Sequence, residues 1–302
     1  MPGWSDLLTE ANKPSVEVLR KQYIKKLSSY TSRNVLVFYS GWLQVPEVPP
    51  FYVGINDSDK TGIMDCCRSL DRSKGLDIIL HTPGGDIAAT ESIIDYLYSL
   101  YRGDIRAFVP QMAMSSGTLL AVSCKEIWMG RQSSIGPVDP QFGNIPALGI
   151  IEEFEMAYAE IRQDPGKFQV WLPILQKIGP TDIIRAKRAV EWSQEILVNS
   201  LTRVMFKDME ESERSKKIDA VIELLGQQKT SKSHNRHINA DKARLSGLVV
   251  KNLEDDDKLQ DLVLSIHHLL TISFDSFKSA KIIENNAGAT YYLHSPQIQA
   301  VK

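Results

Sequence analysis

The chain is poor in cysteine, and that argues against a disulfide framework. Its 302 residues hold three, the adjacent Cys66 and Cys67 and the isolated Cys124. An odd number without metal-ligand spacing fits a reducing compartment, so a cytoplasmic protein is expected. No run of about 18 apolar residues occurs, so no helix is expected to span a membrane. The opening MPGWSDLLTEANKPS carries acidic residues and lacks an apolar centre, so no secretory signal is expected. Net charge is also small: 35 Lys and Arg against 37 Asp and Glu leave −2. That balance calls for neither nucleic acid nor an anionic membrane. The basic run Lys229 to Arg236 is short and has no interleaved aromatics, so no nucleic-acid partner is expected. No G-x-x-x-x-G-K-(S/T) loop is present, so ATP-driven unfolding would need another chain. Histidine is scarce, six in all, and none lies between His81 and His234.

What is present is a repeated pattern. Leu76 to Leu80 is a short, branched apolar run that reads as a buried strand. His81-Thr82-Pro83-Gly84-Gly85 breaks it and turns the chain. Asp86 stands where a helix N-cap belongs, followed by an amphipathic run to about Leu100. The unit then repeats. Ile105 to Val109 is a strand, Pro110 to Ser115 a turn, Ser116-Gly117 to about Val122 a helix, and Ile127 to Met129 a strand closed by Gly130. Strand, turn and helix in succession imply parallel strands with crossover helices. In such a sheet the turns at the carboxyl ends of the strands face one crevice. One turn brings two glycines with accessible N–H groups. The other brings serine to a helix N-terminus, where the dipole favours a developing anion.

The remaining chain reads as helix over Ser15 to Tyr30, strand over Asn34 to Ser40, loop from Gly41 to Tyr52 and helix over Lys60 to Leu70. A helical stretch follows from about 150 to 226, with breaks at Asp164-Pro165-Gly166 and Gly179-Pro180. Gln227 to Arg236 is a polar loop by composition. Leu259 to Ile272 and Ser276 to Glu284 are expected as apolar-faced helices, and the chain from Asn285 as a loose tail. The domain reading is an arm and helix over 1–30, one domain over 31–290 with a helical insertion near 150–226, and a tail over 291–302.

Pro83-Gly84-Gly85-Asp86-Ile87 resembles the Pro-Gly-Gly-Ser-Val turn of Clp protease. Ala113-Met114-Ser115-Ser116-Gly117 resembles the turn that holds the nucleophile in Clp protease and signal peptide peptidase A. Gly136 to Gln141 is similar to the Gly-Pro-(Ile/Val)-Asp-Pro-Gln signature of the serine dehydrogenase proteinase family. The resemblance runs over roughly residues 30 to 290 and is strongest in 76–141. It implies an α/β fold of Clp/crotonase-like repeated β-β-α units, with a parallel sheet and flanking helices. It also implies a serine endopeptidase that forms an acyl-enzyme on peptide or unfolded-protein substrates, acts as a homo-oligomer and needs no cofactor or metal.

The site residues follow from the same resemblance. Ser116 is the expected nucleophile, with Ser115 competing, and Gly85 and Gly117 are the expected oxyanion donors. Asp139 falls near the place of the Clp protease histidine, and His234 falls beside the place of its aspartate. A Ser116–Asp139–His234 triad in exchanged order is therefore expected, since a triad is recognised by geometry rather than order. His237 is the alternative base, and Lys167, Lys177 and Lys187 lack a matching motif. Two other classes stay open: a crotonase-like acyl-CoA enzyme using the same turns, and a non-catalytic peptide-binding scaffold. His267-His268 and the aromatic positions Trp171 and Trp192 read as structural.

Overall fold

The computed structural model describes residues 15–143, 145–226, 235–277 and 279–294. The chain begins with helix α1 (Val16–Thr31) and strand β1 (Asn34–Ser40), then a helical turn at Pro50–Val53. Helix α2 (Asp57–Cys67), β2 (Leu76–His81), α3 (Ile87–Tyr101), β3 (Ile105–Val109), β4 (Met112–Ala113), α4 (Ser116–Val122) and β5 (Glu126–Met129) complete the repeated units. Short strands β6 (Ser134–Ile135), β7 (Gln141–Phe142) and β8 (Ile145–Pro146) lead into α5 (Ala147–Gln163), α6 (Phe168–Leu175), α7 (Asp182–Ser200) and α8 (Glu211–Gly226). The chain returns through α9 (Ala240–Leu245), β9 (Val250–Asn252), α10 (Asp257–Phe277), β10 (Lys281–Asn285) and β11 (Thr290–Leu293).

Seven strands form the central sheet in the order β11-β10-β1-β2-β3-β5-β9. The pairs from β1 to β9 are parallel, and β10 runs antiparallel to β1 and to β11. The sheet is covered on both faces, and the alternation within β1 shows how. Val35, Val37 and Tyr39 pack with Ile24 and Leu27 of α1 and Val263, Ile266 and Leu270 of α10. Leu36 and Phe38 face Ile63 of α2, Ile93 and Leu97 of α3 and Leu120 of α4. Burial on both faces explains why the strands read as continuous apolar runs. The expected α/β fold with a mostly parallel sheet and flanking helices is the one observed.

The C-terminal part departs from expectation. Residues 281–285 form β10 rather than a helix, and Thr290–Leu293 pairs with β10 instead of forming a loose tail. The pattern misled because three polar residues of β10 are buried. Lys281 is paired with Asp59, Glu284 with Arg20, and the Asn285 amide with the Cys66 carbonyl. Long-range partners of this kind leave no trace in local periodicity.

Candidate active site

Two turns meet at the carboxyl ends of β2 and β3, and backbone bonds stitch them together. Thr82 N–H donates to Met112 O at 3.1 Å, and Met114 N–H donates to Thr82 O at 3.0 Å. The side chain of Thr82 also accepts Gly84 N–H at 3.2 Å. Two glycines permit the contact. A Cβ on Gly84, at φ +95°, would lie 2.7 Å from Ser115 Cβ, and one on Gly117 would lie 2.4 Å from Thr82 Cγ2. Gly136, the first residue of the Gly136 to Gln141 signature, also packs against the serine turn: its Cβ would lie 2.7 Å from Met114 Cε and 3.2 Å from Ser115 N.

The serine turn joins β4 to α4 sharply. Ser115 is held at φ 52° and ψ −121°, a left-handed backbone rare for a residue with a Cβ. It occupies the N-cap position of α4 yet makes no capping bond with its side chain. Its half-buried hydroxyl has no hydrogen bond among the described residues and lines a cavity of about 1070 Å³. Ser116 lines the same cavity but is 4% exposed, and its hydroxyl donates to Gly85 O at 3.2 Å.

The N–H groups sort in the same way. Gly117 N–H donates to Met114 O at 2.8 Å, so it is committed to the turn and is not offered to the cavity. Ser116 N–H, at the first helical position, has no intrahelical acceptor. Neither it nor Gly85 N–H finds a backbone or side-chain partner among the described residues. The Gly84–Gly85 turn leans on a strap at Gly54–Ile55: Ile55 N–H donates to Gly84 O at 2.7 Å, and Asp86 N–H to Ile55 O at 2.8 Å. Asp86 then caps α3 by accepting Ala89 N–H at 2.8 Å, as the sequence suggested.

Asp139 is 4% exposed and lines the cavity with Asn235, Trp42 and Trp192. Its carboxylate accepts Gln141 Nε2 at 3.0 Å. His234 lies outside the described residues. His237 does not line the cavity; its Nδ1 is 2.8 Å from the hydroxyl of buried Ser134. Trp192 is half-buried, bonded through Nε1 to Glu91 at 3.0 Å, and forms a wall of the cavity as well as a packing surface. Behind Trp42, His81 ends β2 with its ring centroid 4.3 Å from the indole and its Nδ1 unpartnered among the described residues. Burial, helped by nearby His267, holds the His81 imidazole well below the usual histidine range. Burial and adjacent His268 lower His267 to about 4. Among the described residues no group of three or more His, Cys, Asp or Glu side chains is arranged to hold a metal, and no helix is long and apolar enough to cross a membrane.

A family model described as ClpP-like SDH-type serine proteinase matches residues 10–253. The chain belongs to that family. Two curated relatives come from Methanocaldococcus jannaschii and carry the names uncharacterized protein MJ0137 and uncharacterized protein MJ1495. The first is 32% identical over 173 residues, covering 57% of this chain and 54% of its own. The second is 36% identical over 105 residues, 35% of this chain and 36% of its own. The match thus spans about half the length of one relative and about a third of the other.

Proposed function

We propose that the chain is a serine peptidase that cleaves peptide or unfolded-protein segments through an acyl-enzyme on Ser115. The observation that carries this reading is the Ser115 turn. A serine forced into a strained strand-to-helix turn, with its hydroxyl withheld from capping and turned to a cavity, is the arrangement of a nucleophile elbow. Strain of this kind is kept where the surroundings over-determine it, and it clusters at functional sites. The competing Ser116 is less suited, because its hydroxyl is buried on Gly85 O.

In this mechanism Ser115 Oγ attacks the substrate carbonyl carbon as its proton passes to the base. The tetrahedral oxygen takes hydrogen bonds from Gly85 N–H and Ser116 N–H. Ser116 N–H thus replaces Gly117 N–H in the pair expected from sequence, because Gly117 N–H is spent on Met114 O. Collapse expels the amine, which leaves with the proton from the base, and water then releases the acyl group by the same route. The base is assigned to His234 and its orienting carboxylate to Asp139. Support comes from the register of the 234–250 segment, from Asn235 lining the cavity, and from the burial of Asp139 there. His237 ranks lower, since its ring is engaged with Ser134. The same reading has the protein work as a cytoplasmic homo-oligomer. Exposed Phe154, Met156 and Tyr158 of α5 and Val170 of α6 support self-association.

The test is intact-mass detection of a fluorophosphonate adduct on wild type, Ser115→Ala, Ser116→Ala and His234→Ala. One adduct is expected on wild type and on Ser116→Ala, and none on Ser115→Ala or His234→Ala. An adduct that survives in Ser115→Ala and disappears in Ser116→Ala would return the nucleophile to Ser116. A wild type that takes no label, measured at its native oligomeric state, would count against the hydrolase reading.

A further inference from the structure

Lys281 and Asp59 are buried as an ion pair beneath the oxyanion turn. Their side chains are 1% and 0% exposed. Lys281 opens β10 and pairs in register with Ser40, the last residue of β1. It therefore sits at the carboxyl end of the parallel strands, where the cavity opens. Its ammonium donates to both oxygens of Asp59, at 2.9 and 2.7 Å, and to the carbonyl of Gly54. The same carboxylate accepts Asn56 N–H at 2.9 Å, and the Asn56 side chain bonds back to Phe51 O and Gly54 O. Residues 54–59 are thus gathered around one buried charge pair.

That segment is the strap on which the Gly84–Gly85 turn rests. Gly54 itself lines the cavity. The contact has no slack, because a Cβ on Gly85 would lie 2.2 Å from Ile55 N. A continuous path therefore runs from Lys281 Nζ to Gly54 O, through Ile55, to Gly84 O and the Gly85 N–H. Oxyanion donors act only when held about 2.7–3.1 Å from the place where the oxygen develops its charge. Burying two charges is a poor way to gain stability, since apolar residues of similar volume usually serve as well or better. What the pair supplies instead is a fixed position, since it holds β10 and the Gly54 strap to one point.

We propose that Lys281 and Asp59 are positioning residues: they clamp the Gly54–Ile55 strap and so fix Gly85 N–H on the reacting carbonyl. The inference rests on the serine-hydrolase reading above for its catalytic consequence. Its structural half, the clamp on the turn, can be measured separately.

The test compares wild type with the charge-neutral double variant Lys281→Met with Asp59→Asn, which avoids stranding one buried charge. A second double variant, Arg20→Met with Glu284→Gln, removes another fully buried pair and serves as control. Saturation kinetics of fluorophosphonate labelling separate maximal rate from half-saturation, and amide hydrogen exchange follows the Ile55 and Asp86 N–H groups. For the first double variant the maximal labelling rate is expected to fall on the order of 10²-fold, with half-saturation within about twofold. Ile55 and Asp86 are expected to exchange faster, while the control keeps both the rate and their protection. Wild-type labelling and wild-type protection in a folded first variant would overturn the proposal, as would an equal rate loss in the control. If wild type takes no label, exchange still decides: lost protection at Ile55 and Asp86 supports the clamp while the hydrolase reading falls, and retained protection overturns the clamp too.

Discussion

At the scale of the residue, the site is a set of small departures from what each side chain would otherwise do. Ser115 holds φ 52°, which costs a non-glycine residue roughly 1–3 kcal/mol. Ser115→Gly removes both the strain and the proposed nucleophile, so it should be more stable than Ser115→Ala by about 1 kcal/mol, and neither should take label. Urea unfolding of the two variants checks the first statement, and intact mass the second. The histidines behind Trp42 make a second residue-scale prediction. Burial keeps His81 neutral and lowers His267 to about 4, whereas an unfolded histidine titrates near 6.5. Between those values the unfolded chain binds more protons than the folded one, so stability falls as pH drops below about 6.5. His267 alone should account for about 3 kcal/mol by pH 4. Chemical denaturation at pH 7 and pH 4.5 measures the loss. His267→Phe or His267→Gln, each without a proton to gain, should flatten part of the slope.

At the scale of the element, buried ion pairs decide where the C-terminal hairpin goes. Arg20 of α1 reaches across to Glu284 of β10 at 2.6 Å, with both side chains fully buried, and also bonds Ser273 and Tyr292. Glu284→Ala leaves the guanidinium without its carboxylate in an apolar setting and should cost about 3–5 kcal/mol, read from the denaturant midpoint at unchanged slope. Arg20→Met with Glu284→Gln together should lose much less than the sum of the single changes. The glycines of the site act at this scale too. In Gly117→Ala the new methyl collides with Thr82 Cγ2 at 2.4 Å, so α4 must shift away from the turn. A loss of about 1–3 kcal/mol is expected, with slower labelling even though Gly117 N–H is not a donor to the cavity.

At the scale of the whole molecule, the cavity is assembled from distant parts of the chain. Trp42, Gly54, Gly85, Ser115, Asp139, Trp192 and Asn235 all line it, and no two of these come from the same secondary-structure element. The sheet edge is as dependent on the far end of the chain. Ending the protein at Phe277 removes β10 and β11, exposes the edge of β1 and takes away the partners of Arg20 and Asp59. Such a truncation should lose cooperative thermal unfolding and aggregate, because an unpaired apolar edge strand templates association. Light scattering beside a circular-dichroism melt would show either outcome.

The sequence by itself determined the repeated strand-turn-helix unit, the parallel sheet and the two turns at its carboxyl end. These are written in local chemistry: branched apolar runs, Pro-Gly-Gly, and Asp86 at an N-cap. It also brought attention to Asp139, which the fold buries in the cavity. The tertiary structure decided what local chemistry could not. Ser115 and Ser116 are adjacent and chemically identical, and only backbone geometry and burial tell the half-buried, uncapped hydroxyl from the one tied to Gly85 O. Gly117 looked like a donor by position, and the backbone spends its N–H on Met114 O. Residues 281–284 looked helical and Asn285 looked like tail because the polar residues here find partners more than 200 residues away, where burial as ion pairs and hydrogen bonds replaces the solvent that periodicity assumes.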